Sequence, residues 1–206
     1  RVGVMYPFFK MIFTRANFVQ AISAYLAKWA KEMGATCPVV VVPNGVDAGT
    51  FNATNLEFKN KERTKVRERF GYEDGDTVLV TTSRLVVKNG VEDIVDSLKF
   101  LSENIKFLII GTGELEKKLK KKVEGLKLEE RVRFLGFIPH SEMLPYMWAS
   151  DIFVRPSLSE GFGNSFIEAM SAELPVIATP VGGIVDFLKD GENGIFAEPN
   201  NPRSVA

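Results

Sequence analysis

Glu160 and Glu168 bracket the run E-G-F-G-N-S-F-I-E, two carboxylates with seven residues between them across a glycine-rich turn that opens a helix. Just upstream, Asp151-Ile-Phe-Val-Arg-Pro156 reads as a buried strand entering a loop. A strand, a glycine turn and a helix start make an anion site. Amide N–H groups at a helix N-terminus point outward, and the helix dipole favours negative charge there. Glu160 sits at the mouth of the turn and Glu168 in the second helical turn. The pair suits a ligand with a phosphate centre and hydroxyl-rich flanks, and a nucleotide sugar has that shape.

Arg84 follows the apolar strand Val78-Leu-Val-Thr-Thr-Ser83, so it emerges at the carboxyl edge, ahead of Leu85-Val-Val-Lys88-Asn89-Gly90 and a helix. An arginine there can clamp a diphosphate with two parallel hydrogen bonds, and Lys88 adds a point charge. The bland alternative is a solvated arginine at a strand end. Gly111-Thr-Gly113 follows the strand Lys106–Ile110 and opens like a dinucleotide fingerprint, but Glu116 stands where the third glycine belongs. A nicotinamide cofactor therefore has little support. These glycines either let backbone approach a ligand or simply make a tight strand-to-helix turn. Glu168 can take the 2′- and 3′-hydroxyl protons of a ribose, or can be a surface carboxylate near a helix N-terminus. Glu160 has no such structural excuse, because a turn does not require a carboxylate. His140, the one histidine, is read as structural, with Ser141 as the N-cap of the following helix. One histidine and one cysteine supply no metal-ligand cluster, so no metal is expected. The lysine-rich run 117–122 alternates with apolar positions and reads as a solvated helix face.

Lys+Arg and Asp+Glu both total 26, a formal net charge of zero that argues against a nucleic-acid partner, which would demand a basic excess. Cys37 stands alone, which rules out an internal disulfide and fits a reducing, cytoplasmic compartment; its expected place is inside a buried strand. No run approaches the ~18 apolar residues of a membrane span. The chain opens on Arg1 rather than Met and stops in what reads as the first turn of a helix at Pro202, so it is read as truncated at both ends.

The elements that must position these groups are legible from periodicity. Apolar residues from Met11 to Met33 recur at helical spacing, with Gly34 as the C-cap, and 38–42 is a wholly apolar, buried strand. Residues 48–60 read as a polar linker and 61–70 as a short charged helix. Strands are then expected at 77–83, 106–110, 132–135, 151–155, 176–178 and 194–197. Helices are expected between them at 91–101, 115–126, 141–149, 165–172 and 184–189. Continuous apolar strands alternating with amphipathic helices indicate an α/β fold, a doubly wound parallel sheet in three α/β/α layers. Ligands bind at the carboxyl ends of such strands, near the point where strand order reverses.

Several pieces together resemble a known family: Ser83-Arg-Leu85, Ile110-Gly-Thr-Gly113, Phe134-Leu-Gly136, Ala149-Ser-Asp-Ile-Phe-Val-Arg-Pro-Ser157, Glu160-Gly-Phe-Gly163, Glu168-Ala-Met170, Pro175-Val-Ile-Ala178 and Val181-Gly-Gly183. The chain is similar to the C-terminal half of a retaining, GT-B fold glycosyltransferase of the "group 1" class, the sucrose- and glycogen-synthase-like enzymes. Val42-Pro-Asn-Gly-Val-Asp47 resembles the family's crossing between domains. The resemblance implies that residues 1–47 are the remnant of an acceptor domain and 48–206 the Rossmann-like donor domain. It also implies roles. Arg84 and Lys88 hold the donor diphosphate, Glu160 faces the donor sugar and Glu168 holds the ribose. The amides of Gly163, Asn164 and Ser165 bind phosphate, Gly111 and Gly113 let the backbone approach the nucleotide, and the backbone of Phe137 and Ile138 meets the base. The family usually has lysine where this chain has Asn89, so either Lys88 reaches in its place or that charge is missing. The implied partners are a nucleotide-sugar donor and a sugar or lipid-linked acceptor, with the full-length protein at the membrane periphery, and the implied activity is sugar transfer for carbohydrate biosynthesis. A fragment lacking the acceptor domain is expected to bind donor weakly and not to catalyse. Two other readings stand beside this one: a sugar-nucleotide epimerase of the same architecture, and a non-catalytic nucleotide-sugar-binding module.

Overall fold

In the computed structural model, which describes residues 2–47, 49 and 55–206, two parallel sheets follow one another along the chain. The first is small. After α1 (Val2–Arg15), β1 (Val19–Ala21) pairs in parallel with β2 (Val39–Val41), and α2 (Ala24–Glu32) connects them. The single helix expected over 11–33 is therefore two helices with a strand between them. Periodicity runs on across 16–23, but Val19–Ala21 finds hydrogen-bonding partners only far along the chain, and Ser23 restarts the helix as N-cap by accepting from the Leu26 amide. β2 is largely exposed rather than buried, and Cys37 lies half-buried in the bend before it, not in the strand.

The second sheet has six strands, all parallel, in the order β5-β4-β3-β6-β7-β8: β3 (Thr77–Thr82), β4 (Ile105–Ile110), β5 (Val132–Gly136), β6 (Ile152–Arg155), β7 (Val176–Ala178) and β8 (Ile195–Phe196). The chain builds outward from β3 to β5, then crosses back to β6 on the other side of β3. Strand order thus reverses between β3 and β6. Their residues are wholly buried at the centre because helices cover both faces, which is why these strands read as unbroken apolar runs. One core layer joins Val78, Val80, Leu108, Phe153, Phe166 and Ile184; the other joins Leu79, Leu85, Ile94, Phe107, Ile109 and Leu119. Alternate residues of one strand feed opposite layers, as the pleat requires.

The helices are α3 (Leu56–Phe70), α4 (Val91–Ser97), α5 (Glu116–Gly125), α6 (Leu144–Ala149), α7 (Asn164–Ser171) and α8 (Pro202–Val205). Four expectations need correction. α3 begins at Leu56, five residues ahead of its expected start, because Asn55 caps it by accepting from the Phe58 amide; the rest of the expected linker, 48 and 50–54, lies outside the described residues. α4 gives way to a 3₁₀ turn at Leu98–Phe100. Ser141 caps nothing: it sits inside a 3₁₀ turn, His140–Glu142, and α6 starts afterwards with a proline in its first turn. The segment expected as a helix over 184–189 is a 3₁₀ turn at Gly182–Asp186.

The small sheet is not isolated from the large one. Asp186 Oδ2 accepts from the Ala24 amide at 2.6 Å, at the start of α2, and Asn44 Nδ2 donates to Asn164 Oδ1 at 3.2 Å, at the start of α7.

Candidate active site

β3, β4 and β6 all release their chains at the same edge of the sheet, and a cavity of about 490 Å³ opens there. Its wall gathers residues from four loops: Arg84 and Lys88 after β3, Gly111 after β4, Phe137 and Ile138 after β5, and, between β6 and the first turns of α7, Glu160, Gly163, Asn164, Ser165 and Glu168. All of these were picked out from the sequence. Gly113 was too, but it stays outside the wall: a Cβ there would fall 2.4 Å from the Leu85 carbonyl oxygen, so the residue serves close packing of two loops.

The start of α7 follows from its sequence. Gly163 takes φ +98° and ψ +63°, a left-handed turn that lets Asn164 begin the helix, and no side chain among the described residues caps that end. Uncapped first-turn amides at a cavity wall are an anion site. Arg84 and Lys88 are exposed across the same opening, and Asn89 is buried beneath them, donating its Nδ2 to the Arg84 carbonyl at 2.8 Å. At the expected lysine position, then, the chain has an amide that fixes the loop, with the charge one residue earlier on the same cavity. Phe137 is 76% exposed at the mouth.

His140, read as structural, is exposed and has its Nε2 3.3 Å from Oε1 of the cavity-lining Glu168. The largest omission is Arg155. It closes β6, is only 7% exposed, and lies along the cavity wall. Its Nη2 donates to Glu160 Oε2 at 2.5 Å, its Nη1 to Ser165 Oγ at 2.5 Å, and its Nε to Ser157 Oγ at 3.2 Å, while the guanidinium carbon sits 4.3 Å over the Phe166 ring. Burial pulls its pKa below the ordinary arginine range, against the opposing pull of Glu160 and Glu168. The sequence did carry a signal: a buried charge must be paired, and an arginine ending an apolar strand just before an acidic glycine turn has an obvious partner. Thr82 and Ser83 also line the cavity, and their hydroxyls are buried with no partner among the described residues. Such groups are hydrogen-bond capacity held in reserve for a ligand or water.

Among the described residues, no group of three or more His, Cys, Asp or Glu is arranged to hold a metal ion. Asp74-Gly-Asp76, the one Asp-x-Asp sequence, precedes β3, at the sheet edge opposite the cavity; there Asp76 Oδ2 accepts from the Glu73 amide. Nor is any helix among the described residues long and apolar enough to cross a membrane.

A family model described as glycosyl transferases group 1 matches residues 62–206. The chain belongs to that family. An uncharacterized glycosyltransferase of Methanocaldococcus jannaschii, MJ1178, is 32% identical over 199 residues, covering 96% of this chain and 50% of its own. A second from the same organism, MJ1607, is 31% identical over 170 residues, covering 82% of this chain and 43% of its own. The Anabaena protein Alr3699/HepE, crystallised with UDP-glucose, superposes with a TM-score of 0.86 at 25% identity, covering 98% of this chain and 56% of that one. The chain thus spans about half the length of the relatives it matches. The match to the group 1 family model takes in β3 to α8 and every cavity-lining residue named above.

Proposed function

We propose that this chain is the donor-binding half of a retaining glycosyltransferase, which moves a sugar from a nucleoside diphosphate sugar to an acceptor. One observation carries the reading. Two exposed cationic side chains, Arg84 and Lys88, an uncapped helix start and two carboxylates wall a single cavity at the reversal point of a parallel sheet. The diphosphate lies between Arg84, Lys88 and the α7 amides. Glu168 takes the ribose hydroxyls, Glu160 takes the hydroxyls of the sugar, and the base meets the backbone at Phe137 and Ile138. Gly111 admits the nucleotide against bare backbone; Gly113 acts one step removed, by packing that loop.

In the reaction the bond from the anomeric carbon to the diphosphate oxygen breaks. The electron pair leaves with the nucleoside diphosphate, and the acceptor oxygen bonds to the same face of the sugar as its proton passes to the departing diphosphate oxygen. The protein's main contribution is to stabilise charge growing on the leaving phosphate. Arg84, Lys88 and the helix end supply that stabilisation without a metal ion. Residues 1–47 belong to the edge of an acceptor domain, and 48–206 form the donor domain. Without the remainder of the acceptor site the fragment binds donor weakly and does not turn over. The acceptor is a sugar or a lipid-linked molecule, handled on the cytoplasmic side and, for the full-length protein, at the membrane periphery. The crystallisation of Alr3699/HepE with UDP-glucose and the 30% identity to a 2-deoxystreptamine glucosyltransferase of Streptomyces kanamyceticus support the donor class.

The test is a thermal-shift screen of the chain against UDP, GDP and ADP sugars, followed by product analysis with the full-length protein. A ligand that binds only the native state raises the melting temperature. One nucleotide series should do so, and the full-length protein should join that sugar to an acceptor. An epimerised donor with no joined product would replace transfer with epimerisation, and the absence of any shift would remove the donor site.

A further inference from the structure

The contacts of Arg155 reach both ends of the segment that lines the cavity. Nη2 holds Glu160, where the glycine turn begins, and Nη1 holds the Ser165 hydroxyl, in the first turn of α7. The third link, Nε to Ser157 Oγ, anchors the guanidinium to its own strand end. One planar, rigid fork thus spans a loop whose glycines would otherwise leave it free to change shape. Glu160 is held a second time, because its Oε1 accepts from the Gly161 amide at 3.0 Å. Each carboxylate oxygen has one protein donor and keeps a further lone-pair direction for a ligand hydroxyl. The surroundings are tight. The Phe166 ring lies under the guanidinium, and Gly90, on the loop after β3, has its Cα so close to the Pro156 carbonyl that a Cβ would fall 2.0 Å from that oxygen.

We propose that Arg155 is a positioning residue for sugar transfer: it sets the distance and angle between the carboxylate that faces the sugar and the helix end that receives the phosphate. This rests on the donor-site reading above. The bond that breaks lies between those two groups, so their relative placement is what the transition state senses. A misplacement of about 1 Å in such an arrangement can cost about a hundredfold in rate. A general positive charge would be replaceable by lysine. A two-ended clamp is not, because an ammonium cannot bond Glu160 and Ser165 in the same fixed geometry.

The experiment uses the full-length protein and the donor it accepts, with Arg155→Lys, Arg155→Met, Glu160→Gln and Arg155→Met/Glu160→Gln. Circular dichroism and melting curves establish folding. Arg155→Met and Arg155→Lys should each lower kcat about a hundredfold, while the Kd for the free nucleoside diphosphate stays within about threefold, since Arg84, Lys88 and the α7 amides remain. The double variant should be no more than about threefold worse than the worse of its two single variants, because Arg155 acts through Glu160. If Arg155→Met does not fold, Ser165→Ala removes one end of the clamp in a folded protein and should still lower kcat about tenfold, with the nucleotide Kd unchanged. Wild-type kcat in Arg155→Lys, or additive losses in the double variant, overturns the clamp while the donor site stands. A wild-type protein that neither binds a nucleoside diphosphate nor turns over a donor overturns the donor site and the clamp together.

Discussion

Replacing Gly111 by alanine should cost far more stability than the same change at Gly71, and the two positions together separate backbone strain from crowding. Both glycines have positive φ, +135° at Gly111 and +68° at Gly71. At Gly71, the C-cap of α3, a Cβ would meet nothing within 4 Å. Alanine there pays only the left-handed penalty of about 1–2 kcal/mol, partly offset by about 0.4–1 kcal/mol from a less flexible unfolded chain, leaving roughly 1 kcal/mol. At Gly111 a Cβ would lie 1.9 Å from the Ser83 carbonyl oxygen. That oxygen is backbone, tethered because the Ser83 amide donates to the Ile110 carbonyl at 3.0 Å and the Leu85 amide to the Thr112 carbonyl at 2.9 Å. Strained φ/ψ adds about 1–3 kcal/mol, and forcing the β3 and β4 exits apart adds about 1–3 kcal/mol more, so roughly 4 kcal/mol is expected. Urea unfolding of the chain measures both, with the slope checked for constancy so that the midpoints can be compared. Because the displaced segment is Ser83-Arg84, Gly111→Ala should also lose the melting shift produced by nucleotide, whereas Gly71→Ala should keep it. If Gly111→Ala destabilises no more than Gly71→Ala, the close approach of these loops is not a constraint on the site, and the reasoning fails.

Three further outcomes are expected. In the full-length protein, Arg84→Ala should lower kcat about a hundred- to a thousandfold, the range for one lost donor to a transition-state oxyanion; a change confined to KM would assign it to uniform binding instead. Glu168→Ala should erase the preference for a ribose over a 2′-deoxyribose nucleotide, read by calorimetry. The charged hydrogen bonds it removes are of the kind worth about 1.5–3 kcal/mol, tenfold or more in Kd, and an undiminished preference would place the ribose elsewhere. The Tyr72 phenol, buried and with no partner for its hydroxyl among the described residues, has its pKa pushed up to about 12 by burial, with Arg133 opposing. The folded state therefore keeps a proton that the unfolded chain releases near 10. The associated stability is complete below about pH 10 and is lost as pH rises towards 12, on the order of 2–3 kcal/mol. Absorbance titration at alkaline pH should find one phenol ionising last, together with unfolding, and Tyr72→Phe should flatten the alkaline loss.

How much of the fold was legible depended on where each element found its partners. All six strands of the large sheet could be read to within a residue at each end, because a parallel sheet covered by helices on both faces is written as short apolar runs between helical segments. β1 could not be read. Its three residues continue the apolar spacing of the helices on either side, and only pairing with Val39–Val41, some twenty residues on, makes them a strand. The ends of helices were harder to read for a different reason. Asn55 and Asn164 both precede or open helices, yet Asn55 caps through its side chain while Asn164 follows a left-handed glycine and bonds to Asn44 instead. The same residue type has two uses, and the choice is made by contacts far away.

The site was more legible than the fold around it, because its chemistry is written in short loops at strand ends. Ligand groups that must meet at the point where strand order reverses come from loops whose positions the sheet fixes. Reading the strands correctly therefore brought Arg84, Gly111, Glu160 and Glu168 together before any contact was known. What the loops could not reveal was support from beneath. Arg155 belongs to a strand, and strand residues invite a packing explanation, yet its guanidinium binds the two groups on which the geometry of the glycine turn depends. Gly113 was open to two readings, a ligand contact or a tight turn, and its lack of a side chain is used against Leu85. In both cases the deciding quantity is distance to another segment of backbone or side chain, and spacing along one segment does not contain it. Charge does contain part of it. A guanidinium ending an apolar strand has to find a carboxylate, and Glu160 is the first acidic residue that follows it.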